Sequence, residues 1–470
     1  MVAGDVEMRL ISRDWFRPGR PIALGHAPAR LDVMGGIADY SGATVLELPL
    51  VLGVWVTAQL GDDGLLAVRT DGPAMPPLAR PDVSVPVAVL QAGPPAEAPT
   101  RLRAALEEVD AAWASYVLGP LAILQAARLL PPLAGLRLAV WSDVPAGAGI
   151  SSSAALEVAA LRALQGLLNL DVEPLRLAAL AQQAEHRVAH APCGIMDQVT
   201  ATLGRKDHLL ILRCQPSEVL GHRRLPRDAQ VFGIDSGVAH RVAGDQYGRV
   251  RVATFMGRAI IAAHSKDAER ADPPGGYLCN LAPARFAAVY ERLLPEEMSG
   301  ADFLARYGQT GDDATTVDPA TTYRVRACTT HPILEQANVV AFLAALDRYE
   351  EAGDPAALEE AGAAMYRSHH SYGARCGLGT PETDLIVDLV RERGPHSGLY
   401  GAKITGGGAG GTVAVLGAGS GARAGVEEIA AAYARRSGNT SRVIAGSADG
   451  AVAQPVRHVA IDENGEVHGI

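Results

Sequence analysis

Residues 145–155 read Pro145-Ala146-Gly147-Ala148-Gly149-Ile150-Ser151-Ser152-Ser153-Ala154-Ala155. Before this run lies Leu136–Ser142 (LRLAVWS), which reads as a strand, and after it residues 153–170, whose Ala/Leu spacing reads as a buried helix. Small residues at a strand-to-helix junction let the backbone close on an anion, and the first helical N–H groups and the helix dipole supply a positive field. A serine-capped helix end needs one hydroxyl, and three stand here. The extra hydroxyls are hard oxygen donors suited to Mg²⁺. The stretch therefore reads as a phosphate cradle that opens a helix, which points to an α/β arrangement.

Two other glycine-centred stretches follow the same logic. Lys403-Ile404-Thr405 precedes Gly406-Gly407-Gly408-Ala409-Gly410-Gly411, a G-x-G-x-x-G match that runs into a strand at residues 413–416. A dinucleotide fingerprint follows a strand and opens a helix, so that reading fails on context. Residues 27–42 are apolar but carry Arg30, Asp32, Asp39 and Tyr40, more polar groups than a buried strand tolerates unpaired.

The chain has 470 residues, enough for two or three domains. Its formal net charge is −10, from 42 Lys+Arg against 52 Asp+Glu, the wrong balance for a nucleic-acid coat or a membrane-surface binder. None of the three lysines (Lys206, Lys266, Lys403) follows a glycine, which removes the Walker A loop. Five scattered cysteines make neither a disulfide framework nor a zinc cluster. His186 and His190 lack the order of H-E-x-x-H. Residues 1–20 are charged throughout, and no long apolar run appears, so a cytoplasmic protein without a membrane partner is expected.

Along the chain, residues 44–56 read as buried strands and the proline-rich residues 71–100 as loop with at most one edge strand. Helices are expected at 174–188, 332–349, 355–368 and 425–436, a strand at 231–234, and a hairpin turn at Asn464-Gly465. Residues 266–322 look like an insertion with one short helix near 282–294.

Taken together, these motifs resemble the GHMP small-molecule kinases, and specifically their galactokinase branch. DVPAGAGISSSAALEVA (143–159) is close to that branch's nucleotide-binding motif, KITGGGAGG to its C-terminal glycine motif, and GIMDQ (194–198) to the segment bearing its catalytic aspartate. Further matches are Tyr247 downstream of Asp235, the Arg326…His331…Glu335 run and Met365…Ser368-His369…Ser371-Tyr372, so the resemblance spans about residues 27–413. Within the branch, residues 31–42, 191–198 and 214–216 look most like the kinase domain of L-arabinokinases. The galactokinases' Glu-His pair is replaced here by Gly36-Ile37.

The resemblance implies a two-domain GHMP kinase fold of mixed α/β (α+β) content with its active site in the interdomain cleft. Residues 1–220 would bind sugar and nucleotide, and residues 221–470, with the insertion, would close the site. It implies ATP and Mg²⁺ as cofactors and transfer of a phosphoryl group to the C1 hydroxyl of a sugar. Asp197 matches the catalytic aspartate and Arg30 the arginine paired with it. The ATP phosphates would be wrapped by Gly147, Ala148, Gly149, Ile150, Ser151, Ser152 and Ser153, with Gly406, Gly407 and Gly408 closing from the other side. Ser153 and Glu185 would hold the metal. Asp39, Gly36, Ile37, Gly194 and Tyr247 would form the sugar pocket, with Gly36 expected to free volume and His369 and His370 to pack nearby. L-Arabinose is the expected sugar, the alternatives being galactose, a larger sugar, or a non-catalytic galactokinase-like sensor that has lost its phosphate loop.

Overall fold

The computed structural model describes residues 10–12, 14–71, 81–239, 244–265 and 273–470. Two mixed layers dominate it. The first sheet runs β15-β14-β1-β2-β5-β3-β4, with β6 and β7 attached to the other end of β2. Its strands are β1 (Ile22–Met34), β2 (Thr44–Leu60), β3 (Leu65–Asp71), β4 (Asp82–Pro86), β5 (Leu136–Ser142), β6 (His208–Arg213), β7 (Glu218–Arg224), β14 (Arg457–Ile461) and β15 (Val467–Gly469). The second sheet, β11-β12-β8-β13, is antiparallel and uses β8 (Ala229–Asp235), β11 (Leu399–Ile404), β12 (Thr412–Ala418) and β13 (Arg442–Ile444). A two-residue ladder joins β9 (Met298–Ser299) to β10 (Thr322–Tyr323).

Strands β1 and β2 are buried along almost their whole length, as expected of strands covered on both faces. The helix α3 (Ser152–Leu168) lies directly on β1, where a Cβ at Gly25 would overlap Ala159 O and Ala163 N. That close approach fixes where the N-terminus of α3 points. It is preceded by α1 (Ala98–Glu108) and α2 (Ser115–Ala126) and followed by α4 (Pro174–Ala184) and α5 (Met196–Leu203). One apolar core runs through both sheets, from Leu31 and Val56 through Phe342 and Met365 to Leu416. The last two strands return to β1, so the first sheet draws on both ends of the chain, and β7 straddles the expected boundary at 220.

Two local expectations need correction. Residues 72–80 lie outside the described residues, and β4 is the expected edge strand, but helical turns start at Ala88 and Pro95 and α1 begins at Ala98. Pro95 and Pro99 sit at the starts of these turns, where a missing N–H costs no hydrogen bond. The helix expected from residue 332 is α8 (Val325–Ala352), with Pro332 in its interior. The carbonyl of Cys328, deprived of its helical donor by Pro332, accepts from Thr254 Oγ1 at 3.1 Å. Thr254 belongs to α6 (Gly244–His264), against which the segment 273–323 packs through Leu278, Phe286, Tyr290 and Phe303. The short helical turns at 283–293 agree with expectation, whereas α7 (Gly300–Tyr307) was not anticipated. After α8 come α9 (Pro355–Ser371), α10 (Pro381–Arg393) and α11 (Ala422–Ser437).

Candidate active site

A cavity of about 330 Å³ opens between the N-terminus of α3, the end of β1 and the Gly406-Gly407 loop. Arg30, on β1 and 3% exposed, anchors its floor. Its Nε and Nη2 lie 2.9 and 2.8 Å from Asp197 Oδ1, and its Nη1 donates to Gly149 O at 2.9 Å. Glu47 Oε2 stands 3.2 Å from Nε. Burial opposes the guanidinium charge, but the carboxylates of Asp197, Glu47 and Asp32 outweigh it and raise its pKa. A buried cation is tolerable only in such company.

Asp197, in the first turn of α5, has its other oxygen occupied: Ser151 Oγ donates to Oδ2 at 2.5 Å. Ser151 has a left-handed backbone (φ 63°) and makes no side-chain cap on α3. The first N–H groups of α3 thus receive no cap from the Ser151 side chain, which fits a bound phosphate. Gly147, Gly149, Ser151, Ser152 and Ser153 line the cavity, whereas Ala148 and Ile150 are buried behind it. Gly406 and Gly407 line the opposite side, and a Cβ at Gly406 would come 2.8 Å from Gly149 O. Gly408 does not reach the cavity, because it packs on Leu378.

Glu185 opens a π-helical turn after α4 and is 6% exposed. Its carboxylate is hydrogen-bonded by Ser153, Cys193 and Gln198, the last at 2.6 Å. Burial, then the Asp197 charge, pushes its pKa up to about 7. Behind it Glu157 is fully buried and raised well above the usual carboxylate range by burial and by Glu185. Glu157 Oε2 lies 3.3 Å from Gln198 Nε2, and its Oε1 has no partner. Adjacent Ser153 and Glu185 oxygens beside the open end of α3 form the donor set a hard divalent cation takes.

On the opposite side of the cavity, Asp39 is 2% exposed, and burial followed by the Asp197 charge raises its pKa to about 6. Gly194 lies against it so closely that a Cβ would overlap Asp39 Oδ2. Tyr247 and Ile37 complete this wall. Ile37 is a β-branched residue in the left-handed region (φ 60°), a strained conformation that its packing must maintain. Gly36 does not line the cavity, and the room expected there is taken: its Cβ position overlaps Asp32 Oδ2 and the Tyr372 hydroxyl. Asp32 in turn accepts from Lys403 Nζ (2.9 Å), Gly406 N (3.1 Å) and Tyr372 OH (3.3 Å).

Several lining residues were not anticipated. Trp113, Tyr116, Val144 and Leu156 make an apolar end beyond the serines. Trp113, in the short 3-10 turn just before α2, and Tyr116, in its first turn, stand three residues apart, a helical spacing that could have flagged them. Arg251 clamps the loop before Asp197: it forms two bonds to Asp312 (2.8 and 2.7 Å) and donates to the carbonyls of Pro192 (3.2 Å) and Cys193 (3.3 Å). His186 also bonds Cys193 O at 2.8 Å, and His190 contacts Arg103, so the two histidines do not act as a pair. His369 is buried with Nδ1 accepting from Ile404 N at 3.3 Å, whereas His370 is exposed in a separate surface groove.

Comparison with known proteins gives the family. The family profile described as GHMP kinases N terminal domain matches residues 115–205. An L-arabinokinase from Arabidopsis thaliana is 35% identical over 84% of this chain, which spans only 42% of that longer protein. A galactokinase from Chloroflexus aurantiacus is 30% identical over 89% of this chain and 90% of its own length. In three dimensions, Lactococcus lactis galactokinase complexed with galactose superposes with a TM-score of 0.70 at 19% identity, covering 91% of this chain and 94% of that one. A mevalonate kinase shares the fold at a TM-score of 0.51 and 14% identity, over 91% of this chain and 99% of that one. No helix among the described residues is long and apolar enough to cross a membrane. With its phosphate-type loop, its paired Arg30 and Asp197, and a full-length relative at 30% identity, the chain belongs to the GHMP kinases, in the group that holds the galactokinases and L-arabinokinase.

Proposed function

We propose that the chain is an ATP- and Mg²⁺-dependent sugar 1-kinase that converts L-arabinose to β-L-arabinose 1-phosphate. The observation that carries the kinase reading is Asp197, held through one oxygen by Arg30 and through the other by Ser151, between the open N-terminus of α3 and the Asp39 wall. Asp197 accepts the proton of the C1 hydroxyl as its oxygen bonds to the γ-phosphorus and the bond to the leaving ADP oxygen breaks. Arg30 keeps the carboxylate oriented and adds positive charge beside the transferring group. The backbone of residues 147–153 and of Gly406 and Gly407 holds the phosphates, and Gly408 packs on Leu378 behind that loop. The apolar Trp113, Tyr116 and Leu156 accept the base. Magnesium, when bound, neutralises phosphate charge, and Ser153 and Glu185 are the residues that would hold it.

Asp39, Gly194, Tyr247 and Ile37 bind the sugar, with Gly36 shaping the turn beneath them. Residues 1–220, with β14 and β15, form the substrate-binding lobe in this reading, and the rest of residues 221–470 closes it. A cytoplasmic location, where ATP and Mg²⁺ are supplied, belongs to the same proposal. Preference for arabinose is supported by Gly36-Ile37 in place of the galactokinases' Glu-His pair and by the 35% identity to L-arabinokinase. Galactose or a larger sugar is the alternative. An intact set of Arg30, Ser153, Glu185 and Asp197 argues against a silent sensor. A coupled ADP-release assay over pentoses, hexoses and heptoses tests the proposal; no turnover with any of them would remove it.

A further inference from the structure

On the face formed by α8, α9 and α10, a surface groove of about 510 Å³ is lined by Arg367, His370, Arg375 and Arg391 and by no aspartate or glutamate. The net charge of the chain is −10, and some surface arginines elsewhere pair with carboxylates, as in Arg348 with Glu360 or Arg423 with Glu427. Among the described residues, none of the three groove arginines forms an ion pair. Each is instead aimed by one neutral contact. Arg391 stacks over the Tyr366 ring at 4.4 Å, Arg367 Nε donates to Asn338 Oδ1 at 2.9 Å, and Arg375 Nη1 donates to Ser371 Oγ at 3.5 Å. The remaining N–H donors of three guanidinium forks face one hollow with no counter-charge, the arrangement that recognises a phosphate dianion.

Two buried hydrogen-bond chains lead from this groove to the sugar wall. In the first, Arg375 donates to Ser371, whose hydroxyl bonds His331 Nδ1 at 2.8 Å, and His331 Nε2 bonds Gly36 O at 3.2 Å. A carbonyl can only accept, so Nε2 carries the ring proton, Nδ1 accepts from Ser371, and every bond in the chain runs the same way. In the second, Arg367 donates to Asn338, Asn338 Nδ2 to Glu335 Oε2 (3.3 Å), and Gly35 N to Glu335 Oε1 (3.0 Å). Ser371, His331, Asn338 and Glu335 are all buried. The chains end on adjacent residues, Gly35 and Gly36, packed so closely that an added Cβ would meet Val45 at the first and Asp32 and Tyr372 at the second, and the next residue is Ile37 in the cavity.

We propose that this groove is a binding site for a small phosphate monoester or free phosphate, coupled through the two chains to sugar affinity. The site stands on the groove alone; the coupling rests on the sugar pocket proposed above. Coupling is a free energy shared by both ligands, so each must change the other's affinity by the same factor.

The test is calorimetry at fixed ionic strength on protein saturated with a non-hydrolysable ATP analogue and Mg²⁺, so that the triphosphate loop is filled. Inorganic phosphate and glycerol 3-phosphate are titrated separately, which distinguishes the free anion from the monoester. Saturable binding with a Kd of about 1 mM or tighter is expected, weakened about tenfold in Arg367→Ala/Arg391→Ala. L-Arabinose Kd is expected to shift by about threefold or more when the anion is bound, with the reciprocal shift in anion Kd. His331→Gln, which changes the first chain beyond the groove and leaves the three arginines with their contacts, should keep anion binding and reduce the shift. Absence of saturable binding, or equal binding by the double variant, overturns the site. An unchanged sugar Kd with the anion bound overturns the coupling. Arabinose titrated without the anion is the control: if no sugar binds, the sugar-kinase reading fails while the anion titration still decides the groove.

Discussion

Lys403 Nζ lies 2.9 Å from Asp32 Oδ2, and neither side chain has any solvent exposure. The pair joins β11 to β1 directly beneath the Gly406 loop, whose N–H also bonds Asp32. Removing one partner leaves an uncompensated buried charge, so Lys403→Met should cost about 3–5 kcal/mol of stability. Replacing both charges, in Asp32→Asn/Lys403→Met, should recover much of that loss. Thermal or urea unfolding measures this. A double variant less stable than Lys403→Met alone would show that the ion pair is not the source of the effect.

Asp197→Asn should lower kcat by about 10²–10⁴ while ATP still binds, because the carboxylate is the proposed proton acceptor and the phosphate loop lies elsewhere. Ser151→Ala, which frees one Asp197 oxygen but leaves the Arg30 contact, should lower kcat far less. Fluorescence titration of a nucleotide analogue alongside turnover separates the two effects. Near wild-type turnover by Asp197→Asn would remove it from the mechanism.

Ser153→Ala and Glu185→Gln should each raise the Mg²⁺ concentration needed for half-maximal rate, since each removes or weakens an oxygen ligand. Sugar affinity measured without nucleotide should stay within about twofold of wild type. An unchanged magnesium dependence in both would mean that these oxygens do not hold the metal.

The pH dependence should report Asp39. With its pKa raised to about 6, kcat/KM for the sugar is expected to fall as pH drops through 6, and Asp39→Asn should lose that limb together with most sugar affinity. The stability effect has the opposite sense. A carboxyl whose folded pKa lies above its unfolded value of 3.8 stabilises the fold below that value, and the contribution is lost as pH rises through about 6. Asp39→Asn should therefore gain in Tm relative to wild type at pH 7.5 but not at pH 3.5. A Tm difference that does not vary with pH would contradict the burial argument.

How much of this was legible in the sequence depends on how local each feature is. The strand, small-residue loop and helix around 136–168 follow from composition over thirty residues, and the structure has β5 and α3 there almost to the residue. The Arg30–Asp197 contact joins residues 167 apart, and only the family pattern pointed to it. Asp32 and Lys403, 371 apart, were hidden because a lone Asp and a lone Lys in apolar strands carry no sign of their partner. The prolines at 94–99 misled because proline both breaks ladders and starts helices, and only neighbouring packing decides which. Gly36 misled in the same way: a missing side chain reads as free volume, but Tyr372, 336 positions on, fills it.

The last prediction concerns the sugar. In pyranose form L-arabinose and D-galactose share ring hydroxyl configuration, and galactose adds a hydroxymethyl group at C5. Where the galactokinases have a Glu-His pair, this cavity presents the apolar Ile37, and the oxygens of Asp32 and Tyr372 close the space over Gly36. A galactose hydroxyl buried there without a partner should cost about 1–3 kcal/mol, or roughly tenfold to a hundredfold in kcat/KM. Ile37→His should fold, because histidine accepts the left-handed backbone better than a β-branched residue does, and it should narrow the preference by offering a donor. Gly36→Glu should instead lower Tm sharply, since even its Cβ has no room. The decisive measurement is kcat/KM for both sugars in wild type and Ile37→His. Equal or better use of galactose by the wild type would defeat the pentose assignment and leave the kinase chemistry standing, because Arg30, Asp197 and the α3 loop do not depend on what lies beside Ile37.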